Sequence, residues 1–180
     1  VDDDIQKSII IGNYRCPVIK PILFINIDKI LNLRWYIHMQ QINPYQNENS
    51  LFCVTKTFTK RKDGIIDINL ASSTINLNKH NLYNPSICIK NKRGGEFNIQ
   101  PCFFFDYGLE DLSPYWIIEI DKNYQWMIII GGQPKVNVFN NFCRTSLENK
   151  YETGLWLLTR SSRPRPQEIK LMLNILKAKR

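Results

Sequence analysis

The chain has 180 residues, 43% of them hydrophobic, and its 24 Lys+Arg against 16 Asp+Glu give a net charge of +8. That is enough apolar material for one globular domain with a core. No apolar run approaches the ~18 residues needed to span a bilayer; the richest stretches, Tyr115 to Ile120 and Trp126 to Ile130, are strand-length.

Residues 1–32, with Pro17 and Pro21 and no clean periodicity, read as an extended N-terminal arm. A first strand is expected from about Arg34 to Ile42, closed by Asn43-Pro44, and a second from Leu51 to Lys60. Lys62-Asp63-Gly64 is a hairpin turn, because Asp-Gly supplies the positive φ angles such a turn needs. A third strand, Ile65 to Ala71, is followed by a polar stretch and a fourth strand, Ser86 to Lys92. Gly94-Gly95 turns the chain into a fifth strand, Phe97 to Asp106. Pro114 opens a sixth, Tyr115 to Ile120, and Asp121-Lys122-Asn123 turns into a seventh, Tyr124 to Ile130. A long connection, Gly131 to Thr153, leads to an eighth, Gly154 to Ser161.

Short strands with regular turn signals argue for an antiparallel sandwich or barrel, and closure removes edges that invite aggregation. Gln167 to Ala178 then reads as a helix, with Ile169, Met172, Leu173 and Leu176 on one apolar face broadened by Leu171 and Ile175. One helix is no core by itself, so it must pack outside the barrel. The chain thus divides into an arm (1–32), an all-β barrel (33–162) and a C-terminal helix of the same domain (163–180).

Trp35 stands early and Arg160 at the end of the last strand. An indole on the floor of a closed barrel with a guanidinium stacked on it plugs one end. If both face inward, alternation sends Ile37, Met39, Trp156 and Leu158 inward too. On the sixth strand Trp116 and Ile118 share a face opposite Glu119 and are placed inward. Alternation does not decide between Phe103, Phe105 and Tyr107 on one face and Phe104 on the other.

The residues also resemble a known family. Arg15-Cys16-Pro17, Leu33-Arg34-Trp35-Tyr36, Phe52-Cys53-Val54 and Lys62-Asp63-Gly64 fall in the order and spacing of the lipocalins, in their apolipoprotein D-like and bacterial branch. Pro114-Tyr115-Trp116-Ile117, Asp121 with Tyr124, and Trp156-Leu157-Leu158-Thr159-Arg160 before a helix extend the likeness over roughly residues 15–178. Leu33 departs from it, replacing the family's Gly two residues before the Trp, and a shifted first strand would turn Ile37 and Met39 outward.

The resemblance implies an eight-stranded up-and-down barrel used as a cup for one apolar molecule, such as a fatty acid, sterol, isoprenoid or tetrapyrrole. It puts Phe58 inward, and with it Val54 and Lys56, giving a ligand-contact set of Ile37, Met39, Val54, Phe58, Trp116, Ile118, Trp156 and Leu158. Trp35, Arg160, Asp121 and Tyr124 are structural. An inward Lys56 needs a partner, and a ligand carboxylate or phosphate would serve; a place near the rim, with the ammonium snorkelling to water, is the plainer reading. A barrel filled solid by its aromatics is the contrasting view, and that would leave a basic interaction protein.

Five cysteines, Cys16, Cys53, Cys88, Cys102 and Cys143, form no C-x-x-C pair, so a zinc or redox motif is not indicated. Scattered across distant segments, they suit disulfides in a secreted domain, and a signal peptide, absent at Val1, would have been trimmed. Buried thiols are the bland alternative. The resemblance places the partner of Cys16 near Gly131 or Gly132, where no cysteine stands, so Cys143 in the long connection is the first choice, and Cys88 and Cys102, flanking the Gly94-Gly95 hairpin, are candidate cross-strand neighbours. The family's partner for Cys53 lies beyond the helix.

Two histidines, His38 and His80, are present. His38 is expected outward, which leaves His80 as the candidate for a haem or metal role, with plain surface histidine the simpler reading. No metal site, covalent cofactor or catalytic constellation is indicated, so the lipid- or pigment-modifying enzymes of the family are a distant alternative. A pI near 9.3 read alone suggests nucleic acid. The basic clusters Lys60-Arg61-Lys62, Lys90, Lys92-Arg93, and Arg160, Arg163 and Arg165 instead fall where an up-and-down barrel gathers its tight hairpins, at the closed end. Such an end would meet an anionic membrane, a protein partner or another subunit, or be merely solvated.

Overall fold

A computed structural model describes residues 16–44, 48–73, 80–81, 86–139 and 142–179. The strands are β1 (Arg34–Gln40), β2 (Phe52–Lys60), β3 (Ile66–Ser73), β4 (His80–Asn81), β5 (Ile87–Arg93), β6 (Glu96–Pro101), β7 (Ser113–Ile120), β8 (Trp126–Ile130), β9 (Val136–Phe139), β10 (Phe142–Arg144) and β11 (Leu155–Thr159). There are also two α-helices among the described residues, α1 (Cys102–Asp106) and α2 (Pro166–Ala178), and two short 3-10 turns, Ile27–Lys29 and Glu48–Ser50. The order β2-β1-β11-β8-β7-β6-β5-β3, with β3 pairing back to β2, closes an antiparallel barrel of eight strands. β4 extends the end of β3, and β9–β10 form a separate ribbon inside the long connection.

Turn chemistry sets the closed end. Gly64 takes φ +85°, and Asp63 accepts a hydrogen bond from the Ile65 amide at 3.1 Å. Gly94, at φ +49°, has no room for a Cβ, because the backbone of Ile22 and Leu23 crosses directly beneath it. The arm is stitched to the barrel there: Ile22 donates to the Ile117 carbonyl at 3.0 Å and accepts from Gly95 at 2.8 Å. Asn26 donates its amide to the Tyr124 hydroxyl at 2.9 Å. Asp121 caps its own turn through the Asn123 and Gln125 amides, at 3.0 and 3.2 Å. Asp121 and Tyr124 thus tie the turn before β8 to itself and to the arm.

Trp35 is fully buried at the floor. Its Nε1 donates to the Ile30 carbonyl at 3.1 Å, and the Arg160 guanidinium lies 5.2 Å from its ring centre. Arg160 is anchored through its own amide to Gln125 and through its guanidinium to the Arg34 carbonyl. Ile30, Phe58, Ile66, Phe97, Met127 and Leu158 pack around this floor in one apolar cluster.

A second apolar layer lies outside the barrel. Met172 of α2 is completely buried against Ile118, Trp126, Ile128, Ile130 and Leu157. Pro166 opens the helix, where its missing N–H costs nothing. Ile169, Leu173, Ile175 and Leu176 join the contact, whereas Leu171 is exposed.

Two expectations change. The fifth strand stops at Pro101, and residues 102–106 form α1 rather than strand. The aromatic run favours strand locally, but a tertiary tie overrides that preference. Cys102 is bonded to Cys88, and its amide donates to the Ser86 carbonyl at 2.7 Å. Phe103 and Tyr107 are therefore exposed rather than sorted between barrel faces. The basic clusters do sit on the hairpins, but much of their charge is met within the chain. Arg61 pairs with Asp63 and Asp106, Lys92 and Arg93 both hold Glu96, and Arg165 pairs with Glu168.

Disulfides join Cys16 to Cys143 and Cys88 to Cys102, leaving Cys53 as an exposed thiol. The first spans 127 residues and ties arm to long connection; chain entropy alone makes such a closure worth about 4–5 kcal/mol. Alkylation of the unreduced protein before peptide mapping is expected to label Cys53 and to recover the two pairs as linked peptides. Label on Cys143 or Cys102 would contradict this pairing.

Candidate ligand-binding site

The barrel is not filled. Above the Trp35 floor lies a cavity of about 390 Å³, bounded by Lys56, Ile68, Leu70, Ile87, Ile99, Tyr115 and Trp156, with Asn43, Asp111, Ser113, Pro114, Lys150, Tyr151 and Thr153 among the residues towards its rim. Strand alternation builds its walls. Val54, Lys56 and Phe58 are the buried face of β2. Lys56 stands opposite Trp35 on one side and Leu70 on the other.

Gly154, at φ +116°, lets the Trp156 ring lie directly on the backbone, where any Cβ would overlap it. Trp156 and Tyr115 face each other with ring centres 5.6 Å apart. Gln100 fixes the loop that brings Asp111 to the rim, bonding the Leu109 carbonyl and the Asp111 amide at 3.3 and 2.9 Å. Asp111 pairs there with Lys150 at 3.2 Å.

The ammonium of Lys56 is the unusual element. The residue is only 5% exposed. Its Nζ lies 4.0 Å from the Trp156 ring centre, 5.3 Å from that of Tyr115 and 3.3 Å from the Tyr115 hydroxyl. Among the described residues no carboxylate pairs with it. Burial therefore lowers its pKa from 10.5 to about 7, because the charged form is the one that loses hydration. Burial likewise raises the Tyr115 hydroxyl far above its ordinary value. The rim position read as plainer from sequence is thus replaced by a deep one.

The structure brings together part of the expected contact set. Trp156 lines the cavity, Ile37, Phe58 and Leu158 pack in the interior cluster, and Val54 is buried on the same face of β2 as Lys56 and Phe58. Three residues lie elsewhere. Trp116 and Ile118 face outward under α2, while Tyr115 and Ile117 take the inward positions. The helix makes the outer face of β7 as apolar as the inner one, so hydrophobicity carries no phase. A register shift between Ile117 and Glu119 also puts Glu119 on the helix side, 3.5 Å from Lys179. Met39 is 45% exposed, because β1 slips against β11 between Ile37 and Met39.

His38 bonds Thr159 Oγ1 at 2.7 Å, away from the cavity. The His80 backbone belongs to β4, and its side chain lies outside the described residues. Asp67, Cys88 and Cys102 cluster tightly, but the two sulfurs are joined as a disulfide and offer no thiolate to a metal. Tyr115, Asp111, Lys150 and Tyr151 were not singled out from sequence. Only the inverted phase of β7, implied by a helix that needs an apolar wall, could have pointed to Tyr115.

The buried Lys56 makes stability depend on pH. Between pH 7 and 10.5 the unfolded chain holds a proton that the folded chain has released. Relative to Lys56→Met, the native protein should therefore gain about 1.4 kcal/mol per pH unit across that window, its deficit being greatest below pH 7. Urea titrations of both proteins at several pH values measure this; a difference that does not change with pH contradicts it.

No family model matches the sequence, and no curated protein matches it. Solved structures do match. The cockroach allergen Per a 4 superposes with a TM-score of 0.57 at 15% identity, covering 92% of this chain and 87% of its own. Lobster apocrustacyanin A1 gives 0.55 at 14% identity over 93% and 86%. The amine-binding protein of Rhodnius prolixus, in its tryptamine complex, gives 0.53 at 12% identity over 92% and 80%. At such identities the likeness is one of fold, and that fold, a closed eight-stranded barrel with a C-terminal helix outside, is the lipocalin fold.

Proposed function

We propose that this chain is a secreted member of the lipocalin family that binds and carries one small, largely apolar molecule inside its barrel. The cavity carries the reading. Its volume of about 390 Å³ falls within the ~300–1,000 Å³ typical of small-molecule sites, and aliphatic and aromatic walls enclose a few polar groups. A barrel serving only as a scaffold for a basic surface has no need of such a space. The amine-binding neighbour, which holds tryptamine, supports use of this barrel for binding rather than catalysis. Two disulfides support an oxidising compartment, and the motifs from Pro114 to Tyr124 favour the apolipoprotein D-like branch.

Trp156 is a built-in reporter, since its ring lines the cavity. Titration with a panel of single-chain lipids and isoprenoids is expected to change its fluorescence with saturation at one molecule per chain, and Trp156→Phe to remove most of that signal. Native mass spectrometry should show the same one-to-one species. No binding across the panel by either method would overturn the carrier reading.

A further inference from the structure

We infer that the ligand carries a single carboxylate, and that Lys56 receives it at depth while the apolar body fills the rest of the cavity. This rests on the carrier reading and adds the chemical class of the ligand. An ammonium has three N–H donors and no acceptor. Here one of them meets the Tyr115 hydroxyl at 3.3 Å, and the faces of Trp156 and Tyr115 supply the remaining stabilisation. Trp156 adds a second buried donor, its Nε1, which finds no acceptor among the described residues. A buried cation without an anion is costly, and an aliphatic side chain of similar shape would close the same volume at no such cost. A carboxylate brought in by the ligand supplies the missing charge and the missing acceptors together.

The same geometry selects against other heads. A cationic amine would meet the Lys56 ammonium, so tryptamine-like ligands are disfavoured. A phosphate with two charges would have one cation to face. The other charged groups at the cavity, Asp111 and Lys150, are paired with each other at the rim, and Tyr115 stays neutral. Among the described residues, Lys56 is therefore the group at the ligand head whose charge changes around neutral pH. Above that range the free amine accepts a hydrogen bond from Tyr115, and carboxylate binding must take up a proton to restore the ammonium.

The test compares palmitic acid, hexadecanol and hexadecylamine, which share one chain and differ in the head. The acid is expected to bind at least about tenfold more tightly than the alcohol just below pH 7, the factor expected when an ion pair adds about one charge-assisted hydrogen bond. That preference should shrink as pH rises. Isothermal titration in buffers of different ionisation enthalpy should show uptake of a proton with the acid at pH 8 and none with the alcohol. Lys56→Met should lose the preference and the proton uptake while still binding the alcohol. Equal binding of acid and alcohol by the native protein, or an unchanged preference in Lys56→Met, overturns the inference and leaves the carrier standing. Failure of all three to bind removes both.

Discussion

The Trp35 indole, held between the Ile30 carbonyl and the Arg160 guanidinium, is the contact on which the rest of this barrel depends. A closed ring of eight strands has two open ends, and water entering from the lower one would leave no dry interior. Sealing that end with a single large side chain divides the inside into a packed floor and a space above it. Ile22, Ile25 and Ile27 of the arm and Tyr124 of the turn before β8 pack against the cluster that surrounds this seal. Because the floor is packed and dry, Lys56, which stands beside Trp35 in the sheet, loses its water.

The two sides of the barrel wall are built differently. β7, β8 and β11 are apolar on both faces, since their outer face is covered by α2, and every residue of β8 is buried. β2 has no such cover, and its buried positions, Val54, Lys56 and Phe58, alternate with more open ones. The covered wall supplies Tyr115 and Trp156, which face the cavity while Met172 and its neighbours pack on the other side of the sheet. The uncovered wall supplies Lys56. The cation–π contact across the cavity thus joins a rigid wall to a more solvated one.

This division also explains what the sequence disclosed. Trp35, Arg160 and the Asp63-Gly64 turn were legible because their chemistry suits few other places. So were β2 and the helix, whose periods are clean. The Cys16–Cys143 pair was the first choice once the family's partner position proved to hold glycine, and the Cys88–Cys102 pair was suggested by their placement on either side of the Gly94-Gly95 hairpin. The phase of β7 was not legible, because a strand buried on both faces has no polar side to mark it, and Trp116 is as good a lining residue as Tyr115 until the helix is placed. Met39 was misplaced by a one-residue slip in register, which reverses every later side chain. α1 was hidden because four residues with strand preference were overruled by a disulfide. The depth of Lys56 was hidden because a long side chain reads alike whether it reaches up to water or folds into the core.

An ammonium buried among aromatic rings in an otherwise apolar cup is the central claim. Its most direct test is NMR titration of the Lys56 side chain, labelled at Cε and Nζ, in the ligand-free protein, with Lys56→Met for assignment. A midpoint near 7, well below the ordinary 10.5, is what the account predicts. Titration at the ordinary lysine value would show Lys56 in contact with water and would contradict it.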